Sequence, residues 1–91
     1  MAAAKQTVTI VNKRGLHARA SAKFVGAAAL MDGTTISVSK DGTSALGTSI
    51  LGLMMLGAAK GDTIDIAAEG AEAETRLAEL VELVESGFGE D

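Results

Sequence analysis

The chain has 91 residues, a net charge of −4, 47% hydrophobic residues, no cysteine, and two phenylalanines as its only aromatics. That length makes a single domain with a two-layer core rather than a closed substrate cavity between two domains, and the missing thiols exclude disulfides and thiolate metal sites. Without Trp or Tyr there is nothing to stack on bases or sugars, and the acidic total argues against a nucleic-acid partner.

Thr7 to Asn12 alternates, with Val8 and Ile10 on one face, and reads as a half-buried strand followed by a Lys13-Arg14-Gly15 turn. From Ala18 the period becomes helical: Ala20, Phe24, Ala27, Ala28 and Met31 form one stripe, which Asp32-Gly33 ends. Thr34 to Lys40 alternates again, with Ile36 and Val38 inward. Asp41-Gly42 suits a type I′ hairpin, whose two central positions need positive φ, so a return strand is expected at Thr43 to Leu46. Ser49 to Leu56 reads as a short helix and Asp62 to Ala68 as a fourth strand with Ile64 and Ile66 inward. Ala73, Leu77, Leu80, Val81 and Val84 mark a last helix, with Gly87 as its C′ residue.

The order β-α-β-β-α-β-α predicts an α+β domain over residues 1–91, with three helices on one face of a four-stranded antiparallel sheet. Residues 1–5 and 88–91 are expected to fray. The start lacks the apolar run of a signal peptide, and the stretch from Ile50 to Ala59 is too short and glycine-broken for a membrane span. A soluble, cytoplasmic protein without membrane insertion is expected.

The charges are segregated. Residues 1 to 31 carry Lys5, Lys13, Arg14, Arg19 and Lys23 and no acid, whereas from Glu69 onward acids face the lone Arg76. A basic end on an acidic chain points to an anionic ligand or an acidic partner.

His17, the only histidine, stands within that basic stretch where the first strand hands over to the helix. The first-turn N–H groups of a helix have no backbone partner, and with the helix dipole they form an anion site, here the amides of Ala18 and Arg19. Imidazole keeps a nucleophilic lone pair near neutral pH, so it can accept a phosphoryl group there without a metal or cofactor. Arg19 can bring a guanidinium to the phosphoryl oxygens, and Gly15 can let the backbone approach a partner closely. With one His and no Cys, a His/Cys metal cluster is excluded. A Ser-His-Asp triad would need Ser21 or Ser49 and a carboxylate to converge on His17.

The helix after Ser49 is apolar around nearly its whole circumference. Leu53 and Leu56 can turn to the core, which sends Ile50, Leu51 and Met54 toward solvent as a docking patch suited to several partners. Ser49 can cap the helix with its hydroxyl, and a phosphate on it would set negative charge beside that patch.

Gly15-Leu16-His17-Ala18-Arg19, the segment Ser49 to Gly57, and Ala67-Ala68-Glu69-Gly70 resemble HPr, the histidine phosphocarrier family of the bacterial phosphoenolpyruvate-dependent phosphotransferase system. The resemblance runs from about Thr7 to Ser86. It implies an open-faced β-sandwich of sheet order 1-4-2-3, with His17 phosphorylated on Nδ1 (a pros-phosphohistidine) by enzyme I and donating to a IIA-type protein. It further implies Arg19 beside the phosphate, regulatory phosphorylation of Ser49 by an HPr kinase/phosphorylase in lineages that have one, and docking through Ile50, Leu51, Met54 and Lys23. A monomeric carrier, a co-substrate rather than a stand-alone enzyme, is expected. Ala20 stands where the family usually has proline, which directs the expectation toward the nitrogen-related regulatory branch rather than sugar uptake. The competing reading is a regulatory module that docks through Ile50, Leu51 and Met54 without obligatory phosphoryl transfer. A small acylphosphatase-like enzyme would need an arginine-asparagine site that these residues do not assemble.

Overall fold

A computed structural model describes residues 2–90; Met1 and Asp91 lie outside the described residues. In chain order the elements are β1 (Ala3–Thr9), α1 (Ala18–Ala29), β2 (Thr34–Lys40), β3 (Thr43–Leu46), α2 (Ile50–Met55), β4 (Thr63–Gly70), α3 (Ala73–Glu85) and one 3-10 turn at Gly87–Gly89. The strands form a single sheet in the order β1-β4-β2-β3, and every neighbouring pair is antiparallel. Three helices on one face complete an open-faced β-sandwich.

The alternation in the strands sets which face is covered. Val8 pairs with Ile64, and Ile66 and Ala68 pair with Val38 and Ile36, which places these side chains in rows under the helices. Phe24 of α1, Leu53 of α2, and Leu77, Leu80, Val81 and Val84 of α3 close over those rows as one core. The other face is short and polar: Thr7 lies opposite Asp65 in the β1–β4 register, and its hydroxyl donates to the Asp65 carboxylate. Asp41 and Gly42 have φ of 50° and 84°, the two positive values that a type I′ turn demands.

Of the ends expected to fray, Ala3–Lys5 and Phe88–Glu90 are tied into the fold, while Met1 and Asp91 lie outside the described residues. Ala3, Ala4 and Lys5 belong to β1, paired with Glu69, Ala68 and Ala67. Three backbone positions gain ladder partners there, a tie that small side chains do not advertise. At the other end the Phe88 ring is 1% exposed. Its backbone sits in the left-handed region at φ 58°, ψ 24°. A non-glycine residue held there costs about 1–2 kcal/mol, whereas burying a Phe side chain stabilises by roughly 1.5–3 kcal/mol. The ring wins, and the chain turns back over the start of α1.

Candidate functional site

Gly15 fixes the approach to the site. It has φ +62°, and a Cβ placed on it would lie 2.3 Å from the Ala58 carbonyl oxygen. The close approach expected of Gly15 is therefore to its own chain, not to a partner. The neighbouring Leu16 N–H donates to that same Ala58 oxygen at 3.0 Å, which joins the loop before His17 to the loop after α2. Buried Asn12 donates from Nδ2 to the Gly15 carbonyl at 2.8 Å, and buried Ser21 donates to the Leu16 carbonyl at 3.2 Å. Few backbone freedoms are left between Asn12 and His17.

His17 is the N-cap of α1, with φ −74° and ψ 178°. Its Nδ1 accepts from the Arg19 N–H at 3.3 Å, and its Nε2 lies 2.6 Å from Glu90 Oε2. A backbone N–H can only donate, so Nδ1 presents a lone pair there, and Nε2 carries the proton that bonds Glu90. The site therefore differs from the vacant amide cradle that the sequence suggests. The Arg19 amide is occupied by Nδ1, while the Ala18 N–H finds no partner among the described residues. A phosphoryl group arriving on Nδ1 would take over the Arg19 N–H as well as the helix end.

The Arg19 guanidinium is exposed and has no partner among the described residues. With Lys13, Arg14, Lys23, Gly89 and Glu90 it lines a shallow depression of about 370 Å³. Lys23, expected at the docking surface, donates from Nζ to the Phe88 carbonyl at 2.7 Å, so its ammonium also holds the C-terminal turn in place.

Glu90 and Asn12 are the members that sequence reasoning missed. Glu90 Oε1 accepts from Asn12 Nδ2 at 3.0 Å, leaving the buried Asn12 Oδ1 without a partner among the described residues. Desolvation pushes the Glu90 carboxyl up, but hydrogen bonds from Asn12 and His17 and the nearby Lys23 charge together hold it below its ordinary range. Residues 73 apart in sequence meet here, which no local pattern encodes. The one available signal was Phe88, an aromatic in a chain with only two.

Ser49 is the N-cap of α2, and its Oγ accepts from the Gly52 N–H at 3.0 Å, which realises the capping role. Leu53 and Leu56 are buried as the helical spacing requires, whereas Ile50, Leu51 and Met54 are exposed. Met55, not among the expected docking residues, is 76% exposed and extends the patch. Among the described residues no His, Asp and Glu side chains cluster in threes as a metal site would, and no helix is long and apolar enough to cross a membrane.

Comparison with known proteins matches residues 4–86 to the family PTS-HPr, described as the PTS HPr component phosphorylation site. The chain is 43% identical to the phosphocarrier protein HPr of Neisseria meningitidis serogroup A, over 94% of this chain and 96% of that one. It is 40% identical to the phosphocarrier protein NPr of Escherichia coli K12, over 96% and 97% of the two chains. Among solved structures, HPr-C-His from Thermoanaerobacter tengcongensis superposes with a TM-score of 0.90 at 41% identity, covering 97% of this chain and 98% of that one.

Proposed function

The chain belongs to the HPr family of phosphocarriers of the phosphotransferase system, and from that premise we propose that Nδ1 of His17 is the atom that carries the phosphoryl group. The observation behind this assignment is the orientation of the ring: its unprotonated nitrogen faces the N-terminus of α1, within reach of the Arg19 N–H. The donor is phosphorylated enzyme I and the acceptor a IIA-type protein. Phosphoryl transfer depends mainly on in-line positioning and charge stabilisation, so a carrier with a lone pair, a helix end and Arg19 is sufficient on its side of the reaction. Incubation with phosphoenolpyruvate and enzyme I should place one acid-labile phosphate on the chain, detected by mass spectrometry. Loss of that phosphate in His17→Ala supports the assignment, and its persistence refutes it.

The docking surface is the exposed face of α2 with Ile50, Leu51, Met54 and Met55, beside the His17 loop through the Leu16–Ala58 hydrogen bond. Lys13, Arg14 and Arg19 add positive charge for acidic partners. Phosphorylation of Ser49, where an HPr kinase exists, replaces the Gly52 cap with a dianion next to apolar side chains and lowers affinity by repulsion and desolvation. Ala20, standing where the family usually has proline, is the residue on which a place in the nitrogen-related regulatory branch rests. The exposure of four large apolar side chains on one short helix also supports a second reading, in which docking alone regulates partners. Partner regulation that survives His17→Ala would favour it.

A further inference from the structure

Gly87, Phe88 and Gly89 have φ of 68°, 58° and 72°, three successive left-handed residues that reverse the chain after α3. Such a conformation at a non-glycine residue persists only where the surroundings over-determine it. Here they do. The Phe88 ring is buried, its carbonyl accepts from Lys23 Nζ, and the Glu90 carboxylate is held at both oxygens, by Asn12 Nδ2 on one side and His17 Nε2 on the other. Each tie aims the same carboxylate at the ring nitrogen opposite the one that faces the helix.

We infer that the segment Gly87–Glu90 is a strap and that Glu90 is a positioning residue for phosphoryl transfer, holding the His17 ring with Nε2 protonated and Nδ1 presented for attack. The inference rests on the carrier reading of His17. In the transfer step the Nδ1 lone pair forms the bond to phosphorus while the phosphorus–nitrogen bond of a phosphohistidine donor breaks, its electron pair returning to the donor's imidazole. The Nε2 proton stays on the His17 ring, which becomes cationic, and the carboxylate, itself ionised throughout, faces that new charge. The charges around the pair are Lys13 and Arg14 from the loop, Arg19 and Lys23 from α1, and Glu90 from the strap. Glu90 bonds Nε2 while Nδ1 faces the Arg19 N–H, so the carboxylate and an incoming phosphoryl group meet different nitrogens of the ring.

Long-range proton–nitrogen NMR on the full chain, at a pH where the ring is neutral, reads the tautomer directly. The wild type should show the Nε2–H form alone, and Glu90→Ala both forms in exchange. Glu90→Gln, whose carbonyl can still accept from Nε2–H, should keep the wild-type tautomer. With phosphoenolpyruvate and enzyme I, Glu90→Ala should accept phosphate about tenfold more slowly, the scale on which a partner that orients a histidine acts, and Glu90→Gln should fall between it and wild type. A wild-type tautomer pattern together with a wild-type rate in Glu90→Ala overturns the inference. A wild-type chain that takes no phosphate on His17 overturns the carrier reading instead, and the ring spectrum then decides whether Glu90 positions the histidine at all.

Discussion

Two helices in this protein start under a side-chain cap, and the caps are chemically unlike. Ser49 caps α2 with a hydroxyl oxygen at 3.0 Å from the Gly52 N–H, whereas His17 caps α1 with a ring nitrogen at 3.3 Å from the Arg19 N–H. Serine is among the preferred residues for this position and imidazole is not. α2, six residues long, needs a good cap to form at all. α1, with twelve residues and a buried stripe through Ala20, Phe24 and Ala28, is held by packing and can carry a weaker one. The poorer cap thus sits where stability is supplied from elsewhere, which frees the position for chemistry.

The largest test of that contrast is His17→Ser. It should abolish phosphoryl acceptance while preserving or improving the cap, so that the midpoint of urea unfolding does not fall by more than the loss of the Glu90 contact explains. A protein that still takes up acid-labile phosphate would break the comparison. Next comes Gly15→Ala, which forces a Cβ onto the Ala58 oxygen at a positive φ. It should cost roughly 2–4 kcal/mol, on the scale of overpacking added to left-handed strain, in equilibrium denaturation. A loss under half that would mean the loop before His17 is free to shift.

At the other cap the effects should invert. Ser49→Ala should lose about 1 kcal/mol of stability and leave phosphoryl acceptance from enzyme I within a factor of about two, since Ser49 touches none of the atoms around Nδ1. Ser49→Asp should retain the cap and weaken docking, read as a raised KM for enzyme I; unchanged transfer kinetics would refute that. The smallest expected effect concerns pH. Glu90 has a carboxyl lowered from its ordinary 4.5, so its contribution to the strap is present above the unfolded-state value and is lost as pH falls through the lower folded-state one. Carboxyl carbon shifts should therefore show Glu90 titrating below 4.5 in the wild type and moving upward in Asn12→Ala, which removes one of its donors. A Glu90 midpoint indifferent to Asn12 would separate the strap from the loop.

Local pattern determined a great deal here. β2 and β3 fall at Thr34–Lys40 and Thr43–Leu46 as the alternation and the Asp41-Gly42 turn predict, and the five apolar residues of the α3 stripe are all buried. Those signals are legible because strand and helix periods are properties of consecutive residues. His17 at a helix start beside Arg19 was legible for the same reason, and so was the division of α2 into a buried side with Leu53 and Leu56 and an exposed one with Ile50, Leu51 and Met54. What only the tertiary structure decided lies between residues far apart in the chain. Gly15 meets Ala58 rather than a partner, Lys23 clamps the Phe88 carbonyl, and Glu90 reaches His17 from a segment whose composition reads as a frayed end. None of these contacts has a period. They arise because one buried ring and three left-handed residues fold the tail back onto the start of α1, and that energy balance is settled by packing alone.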